Sequence, residues 1–323
     1  MERPMVFVTC HIPDEGLEVL RESARVRVNM EDRVLSRDEL LAGVADADGL
    51  LCQLADVVDE ELLTAAPRLR AIANYAVGYN NIDTKAASAR GIPVTNTPGV
   101  LTESTADLTW ALMLSVARRV VEGDNMVRAG RFKGWAPRLM LGLDVYDRTL
   151  GLIGMGRIAQ AVARRARGFG MRVVYYSRSA LSHQLEQELV AERVELPQLL
   201  AESDFVSIHV PLTPDTHHLI GRRELAAMKP TAILVNTARG PVVDEGALAE
   251  ALAAGVIAGA GLDVFEDEPA VHPGLLSAAN VVLLPHVGSA TRDTRARMAV
   301  LAARSLVDLL LGRTPRPTNI VNP

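Results

Sequence analysis

The sequence predicts an α/β protein in which parallel sheets are covered by helices, and three observations carry that expectation. Short runs rich in Val, Ile and Leu alternate with helical patterns from end to end, the pattern of parallel strands joined by helical crossovers. The apolar run 150–153 leads into Gly154-Met-Gly156-Arg-Ile-Ala159 and an Ala/Arg-rich helical stretch, 160–168, before a second apolar run at 171–176. A glycine-rich turn therefore sits at the first bend of a β-α-β unit. The 323 residues leave room for roughly two ordinary domains.

Taken in order, strands are expected at 6–9, 25–28, 49–51, 69–73 and 92–95. Helices are expected at 14–23, at 36–43 with Ser36 as cap, and at 59–65, stopping before Pro67. A longer amphipathic helix, 102–121, opens at the cap signal Thr102 and is followed by 124–130; a loop at 132–141 carries Trp135 and Pro137. Beyond the glycine turn, strands are expected at 173–176, 205–210, 232–236, 259–263 and 281–284. A helix at 291–311 follows Pro285-His286, and pattern alone leaves open which domain it covers. No repeat, low-complexity tract or flexible linker interrupts the series.

Composition narrows the function classes. A hydrophobic content of 49% with 23% charged residues describes a globular chain with a substantial core. The net charge is −5, the basic residues are scattered, and Lys85, Lys133 and Lys229 are the only lysines, so nucleic acid is not an expected partner. Cys10 and Cys52 lie far apart on strand-like runs, which favours buried free thiols in a reducing, cytoplasmic setting over a disulfide or metal framework. No stretch of about eighteen apolar residues runs uncharged, and no secretory signal is expected. The His, Asp and Glu positions show no metal-ligand spacing, so no metal site is expected.

The glycine turn carries the first chemistry. Gly154 and Gly156 let backbone approach a pyrophosphate closely, and the following helix offers bare N–H groups and a partial positive charge. Ala159 is small where helix meets strand. The next strand ends in Ser177-Arg178-Ser179, where an Asp or Glu would bind the ribose 2′-hydroxyl of NAD. Hydroxyl, guanidinium and hydroxyl suit a 2′-phosphate instead, so NADP(H) is the expected coenzyme, with NADH possible.

Three further strand ends carry unusual residues. Arg239, in Asn236-Thr-Ala-Arg239-Gly240, has the planar fork for a carboxylate, although pairing with Asp244 is an alternative. An acidic run, Asp263 to Glu268, follows the next strand, and such runs are often solvated loops. His286, in Leu284-Pro285-His286-Val-Gly288, follows the last strand. A carboxylate beside such a His favours its charged form and makes it a proton donor. His209 could line the nucleotide cleft. His11, His183, His217, His218 and His272 carry no expected chemistry.

Together these segments resemble the D-isomer-specific 2-hydroxyacid dehydrogenases, most closely the glyoxylate/hydroxypyruvate reductase branch. The resemblance runs through Asn74-Tyr-Ala-Val77-Gly78-Tyr-Asn-Asn81-Ile-Asp83, Gly91-Ile-Pro-Val-Thr-Asn-Thr-Pro98, the stretch 151–179, Pro211-Leu-Thr, 236–244, 261–269 and 285–291. It implies Arg239, Glu268 and His286 as the catalytic set, with Glu266 a neighbour. It implies a substrate carboxylate held by backbone amides around Val77 and Gly78, opposite Arg239. Coenzyme contacts are implied at Thr105, at Met155, Arg157 and Ile158, at His209, Val210 and Pro211, and at Thr216, Thr237, Ala238, Asp263 and Gly288.

The implied fold is a flavodoxin-like substrate domain, 1–99 plus 291–323, holding an inserted Rossmann dinucleotide-binding domain, 100–290. A homodimer is implied too, with Trp135 similar to a residue that reaches into the partner's site. Two departures stand out: Asn80 replaces a common Asp, and Ser177 replaces the Asp of NAD-using relatives. The expected activity is NADPH-preferring reduction of glyoxylate or hydroxypyruvate. The alternatives are another D-2-hydroxyacid or phosphite dehydrogenase on the same scaffold, or a nucleotide-sensing protein like the corepressors built on it. Residues 51–54 and the Trp135 loop are expected to shape the substrate pocket.

Overall fold

The computed structural model describes residues 3–31 and 33–322, which divide into two compact units. Unit 1 comprises residues up to Leu101 together with those from Ser289 onward; unit 2 is Thr102–Gly288. Each is a fully parallel sheet covered by helices.

In unit 1 the chain alternates β1 (Met5–Val8), α1 (Asp14–Ser23), β2 (Arg25–Val28), α2 (Arg37–Val44), β3 (Gly49–Cys52), α3 (Glu60–Ala65), β4 (Ala71–Asn74), α4 (Thr84–Ala89) and β5 (Val94–Thr95). The sheet order is β2-β1-β3-β4-β5, the flavodoxin-like doubly wound arrangement. Caps set the helix starts. Ser36 accepts from Glu39 N–H while Glu39 reaches back to the Ser36 N–H, a capping box. Asp59 and Asp83 cap α3 and α4.

Unit 2 begins with α5 (Thr102–Ala117) and α6 (Val120–Arg128), then β6 (Thr149–Ile153), α7 (Arg157–Ala166), β7 (Arg172–Tyr176), α8 (His183–Leu189), β8 (Ala191–Arg193), α9 (Leu196–Glu202) and β9 (Phe205–Ile208). It continues with α10 (Arg222–Ala227), β10 (Ile233–Asn236), α11 (Glu245–Ala253), β11 (Gly259–Leu262), α12 (Pro273–Ser277) and β12 (Val281–Leu283). The order β12-β11-β10-β9-β6-β7-β8 reverses direction beside β6, which is where doubly wound sheets bind ligands. Ile233 and Val235 pack on one face and Leu234 on the other. Burial on both faces explains why these strands read as unbroken apolar runs.

The last helix, α13 (Arg292–Leu310), lies in unit 1 against α1, β3 and β4, the placement that pattern alone left open. The expected helices 102–121 and 124–130 are α5 and α6, with the break after Ala117 and not after residue 121. Arg119 has φ +53°, and the Leu143 N–H takes the Ala117 carbonyl at 2.8 Å, which closes α5 there. Strand β8 and helices α4 and α8 to α12 were not anticipated; most are short, and β8 is the polar triplet Ala-Glu-Arg. Among the described residues no helix is long and apolar enough to cross a membrane.

Candidate active site

Because every strand of unit 2 is parallel, the C-terminal ends of β6, β9, β10, β11 and β12 line one edge of the sheet. The glycine turn opens that edge. Gly154 has φ +91°, and a Cβ there would lie 2.7 Å from the His209 carbonyl oxygen. Only glycine fits both the conformation and the space. Gly156 caps α7 without a side chain, and a Cβ on it would point into open space. The first-turn amides of α7, on Arg157 and Ile158, have no side-chain cap, and the Met155 carbonyl is drawn aside by Gln160 Nε2 (3.0 Å). Bare amides under an open cradle fit the pyrophosphate of a dinucleotide.

Next to it, Ser177 Oγ donates to the Ser179 carbonyl at 2.6 Å, leaving Arg178 exposed. Arg193, at the end of β8, donates to the Ser177 carbonyl at 3.0 Å through Nη2, so a second guanidinium stands at this turn. The buried Tyr175 hydroxyl donates to Glu186 (2.6 Å) and accepts the Leu181 N–H (3.0 Å), which holds the loop from below. His209 Nε2 lies 2.9 Å from Ser207 Oγ, and burial pushes its pKa down to about 3. That ring stays neutral at physiological pH. Val210 and Pro211 follow it, and Thr216 Oγ donates to the Pro211 carbonyl (2.6 Å) and accepts the Thr213 N–H (2.8 Å), closing their loop.

Arg239, Glu268 and His286 come from three loops to this edge. Asn236, the last residue of β10, brackets the Arg239 turn: its Oδ1 accepts the Ala238 N–H (3.0 Å) and its Nδ2 donates to the Arg239 carbonyl (2.8 Å). Gly240 presses against the loop after β11 so closely that a Cβ would sit 1.8 Å from the Phe265 carbonyl oxygen. That contact brings the Arg239 turn beside the Glu268 loop. Burial pulls the guanidinium pKa below its ordinary value, and the charge of Glu268 pulls it back up. Asp244, the alternative partner for Arg239, caps α11 by accepting the Ala247 N–H.

Glu268 Oε2 lies 2.9 Å from His286 Nδ1, and Oε1 accepts the Phe265 N–H at 3.0 Å. Burial raises the Glu268 pKa, but the His286 hydrogen bond and charge, the Phe265 amide and Arg239 outweigh it and hold it below the usual range. His286 has φ +54°, an uncommon conformation for a side-chain-bearing residue. Asp263 holds it there. Its carbonyl accepts the His286 N–H (2.9 Å), and its two carboxylate oxygens accept the N–H groups of Val287 (2.7 Å) and Gly288 (2.8 Å). Burial raises the Asp263 pKa more than these bonds lower it. Sequence reasoning missed this clamp and those made by Asn236 and Arg193; polar residues at successive strand ends were the available signal. Thr105 stands beside Gly288, and Thr109 hydrogen-bonds Thr237 at 3.0 Å, so these positions gather at the same edge.

Although no metal spacing was visible, the fold draws His217, His218 and Glu266 together. The two imidazoles stack at 4.1 Å with 29° between their planes. Their in-plane lone pairs therefore run side by side and do not converge on one ion. His218 pairs with Glu266, whose Oε2 accepts the Glu245 N–H at 3.3 Å. The group thus braces the loop leading to Glu268. Val77 and Gly78 lie in the turn after β4 of unit 1, and Trp135 is 84% exposed in unit 2.

A family model described as "D-isomer specific 2-hydroxyacid dehydrogenase, NAD binding domain" matches residues 110–288. The chain belongs to this family. It is accordingly a nicotinamide-dependent oxidoreductase. A glyoxylate reductase of Thermococcus gammatolerans is 54% identical over 317 residues, 97% of this chain and 95% of that one. A crystal structure of a Thermus thermophilus protein superposes with TM-score 0.90 at 49% identity, covering 98% of this chain and 99% of that chain. A Sinorhizobium meliloti NADPH-dependent glyoxylate/hydroxypyruvate reductase, in complex with NADP and malonate, matches with TM-score 0.86 at 36% identity, covering 99% and 97%.

Proposed function

We propose that this dehydrogenase reduces small 2-oxo acids, glyoxylate and hydroxypyruvate foremost, with a preference for NADPH and with His286 as proton donor. The reading rests on the His286–Glu268 pair at 2.9 Å beside the Arg239 turn. Nδ1 is engaged by the carboxylate, and no described residue engages Nε2. Residues 154–158 would hold the coenzyme, which when bound would supply the hydride for C2 of the substrate. Arg239 holds the substrate carboxylate and polarises the carbonyl through its planar fork. His286 Nε2 gives its proton to the forming alkoxide. Glu268, ionised at neutral pH, fixes the ring and balances its charge. In unit 1 the amides of Val77 and Gly78 receive a carboxylate.

The preference for NADPH is supported by Ser177, Arg178 and Ser179 at the end of β7, a stretch with no Asp or Glu, and by Arg193 beside them. A homodimer is supported by the exposed apolar surface of residues 120–146. Helix α6 has no buried residue, and Val120, Val127, Phe132, Trp135, Leu141 and Tyr146 are all exposed.

A spectrophotometric panel tests the whole reading: NADPH and NADH oxidation with glyoxylate, hydroxypyruvate, pyruvate and phenylpyruvate, with phosphite as reductant in the reverse direction. The expected result is fastest turnover with NADPH and glyoxylate or hydroxypyruvate. Turnover of phosphite alone, or tight coenzyme binding with no turnover, would overturn it.

A further inference from the structure

Three consecutive carbonyls in the turn after β4 are each hydrogen-bonded inside unit 1. The Ala76 oxygen accepts the Thr97 N–H at 2.9 Å, the Val77 oxygen accepts from Asn96 Nδ2 at 2.7 Å, and the Gly78 oxygen accepts from Asn74 Nδ2 at 2.7 Å. In a trans peptide the N–H points away from its carbonyl. Fixing these three oxygens therefore turns the N–H groups of Val77, Gly78 and Tyr79 away from Asn74, Asn96 and Thr97. Among the described residues those N–H groups have no acceptor. Val77 and Gly78 are half-buried and Tyr79 is exposed, so the turn is open to solute. Successive bare amides of this kind form an anion-binding concavity.

We propose that Asn74 and Asn96 are positioning residues that aim these amides at the carboxylate of the substrate. The inference rests on the reading that this turn takes the 2-oxo acid. Both side chains are buried, where an amide is costly unless it is bonded; Asn96 Oδ1 has no partner among the described residues, so the bond from its Nδ2 to the Val77 oxygen is the contact that holds this side chain. Because each meets a carbonyl, only the NH2 end can face it, and the orientation of both is fixed. Asn74 is braced further. Its Nδ2 also donates to Asn81 Oδ1 (3.1 Å), and Asn81 Nδ2 donates to the carbonyls of Gln53 and Asp56 (3.1 Å each). Asp56 is buried and accepts the Thr9 hydroxyl at 2.5 Å and the Gln53 N–H at 2.8 Å. The Asn96 N–H donates to the Asn319 carbonyl at 2.9 Å, which ties its backbone to the last turn of the chain. Two buried amides, one at the end of β4 and one just after its neighbour β5, thus hold adjacent peptides in one orientation.

The test uses Asn96→Ala and Asn74→Leu, which add no charge near an anion. On the full-length enzyme, KM for glyoxylate should rise on the order of tenfold to a hundredfold, the loss of one or two well-aimed hydrogen bonds to a charged group. NADPH affinity should be unchanged, and Asn96→Ser, which keeps a donor, should recover part of the loss. Calorimetric titration with oxamate reads the cradle without turnover and should weaken in parallel. If Asn74→Leu does not fold, Asn96→Ala carries the test alone. A folded Asn96→Ala variant with a lower melting temperature but wild-type KM and oxamate affinity would show a structural role only and overturn the inference. A wild-type protein that reduces no 2-oxo acid, yet loses oxamate affinity in Asn96→Ala, would overturn the proposed activity while keeping the cradle.

Discussion

Replacing Glu268 by Gln keeps the size of the side chain and removes its charge. In the native site Oε2 meets His286 Nδ1 at 2.9 Å while Oε1 accepts the Phe265 N–H at 3.0 Å, so an amide of the same shape can stay in place. What it cannot do is balance an imidazolium. Hydrogen bonds to charged groups contribute about 1.5–3 kcal/mol and neutral ones about 1. Both side chains are about one-third exposed, 31% and 36%, so solvent screening reduces the difference. A loss of roughly 0.5–1.5 kcal/mol remains, which is a fall of about 2- to 12-fold in kcat. Steady-state NADPH oxidation by glyoxylate, followed from pH 5 to 9, measures it, and kcat and kcat/KM should fall together. The Glu268 pKa is depressed in the fold, so its contribution is complete above the ordinary carboxylate range, about 4.3, and is lost only as pH falls through the lower native value. No acid limb from this group should therefore appear between about pH 5 and 7 in the wild type. A Glu268→Gln enzyme with wild-type kcat across that range would refute the assigned role.

The other consequences are shorter to state. Arg239→Ala should raise KM for the oxo acid far more than for NADPH, checked by separate titrations of each; equal effects would argue against a carboxylate fork. Gly154→Ala should destabilise unit 2 by roughly 1–3 kcal/mol and abolish NADPH binding, since its Cβ would lie 2.7 Å from the His209 oxygen; denaturant melts and fluorescence titration read the two effects. Ser177→Asp should shift the ratio of kcat/KM values toward NADH, and an unchanged ratio would remove this turn from the preference.

The parallel strands were readable because burial on both faces makes them continuous apolar runs, as at Ile233, Leu234 and Val235. Helix starts at Ser36 and Asp59 were visible in their capping side chains. The break after Ala117 was not, because it depends on the Leu143 N–H arriving from twenty-six residues downstream. Arg239 and His286 could be picked out from the strand ends on which they stand, whereas Glu268 was singled out of its acidic run only by the family resemblance. Their brackets could not: Asp263 on Val287 and Gly288, Asn236 on the Arg239 turn, and Asn74 and Asn96 on Gly78 and Val77 are long-range or backbone contacts that leave no periodic mark. The His217–His218–Glu266 cluster likewise needed the fold to bring it together.

Transfer of label to glyoxylate from NADPH carrying deuterium at both C4 positions probes the assigned chemistry most directly, followed by mass spectrometry of the glycolate formed by wild-type enzyme and by His286→Ala. The site described here predicts glycolate carrying one deuteron at C2, and a rate on the order of 10²–10⁴ lower in the variant. Unlabelled glycolate, or a His286→Ala enzyme as fast as the wild type, would contradict it.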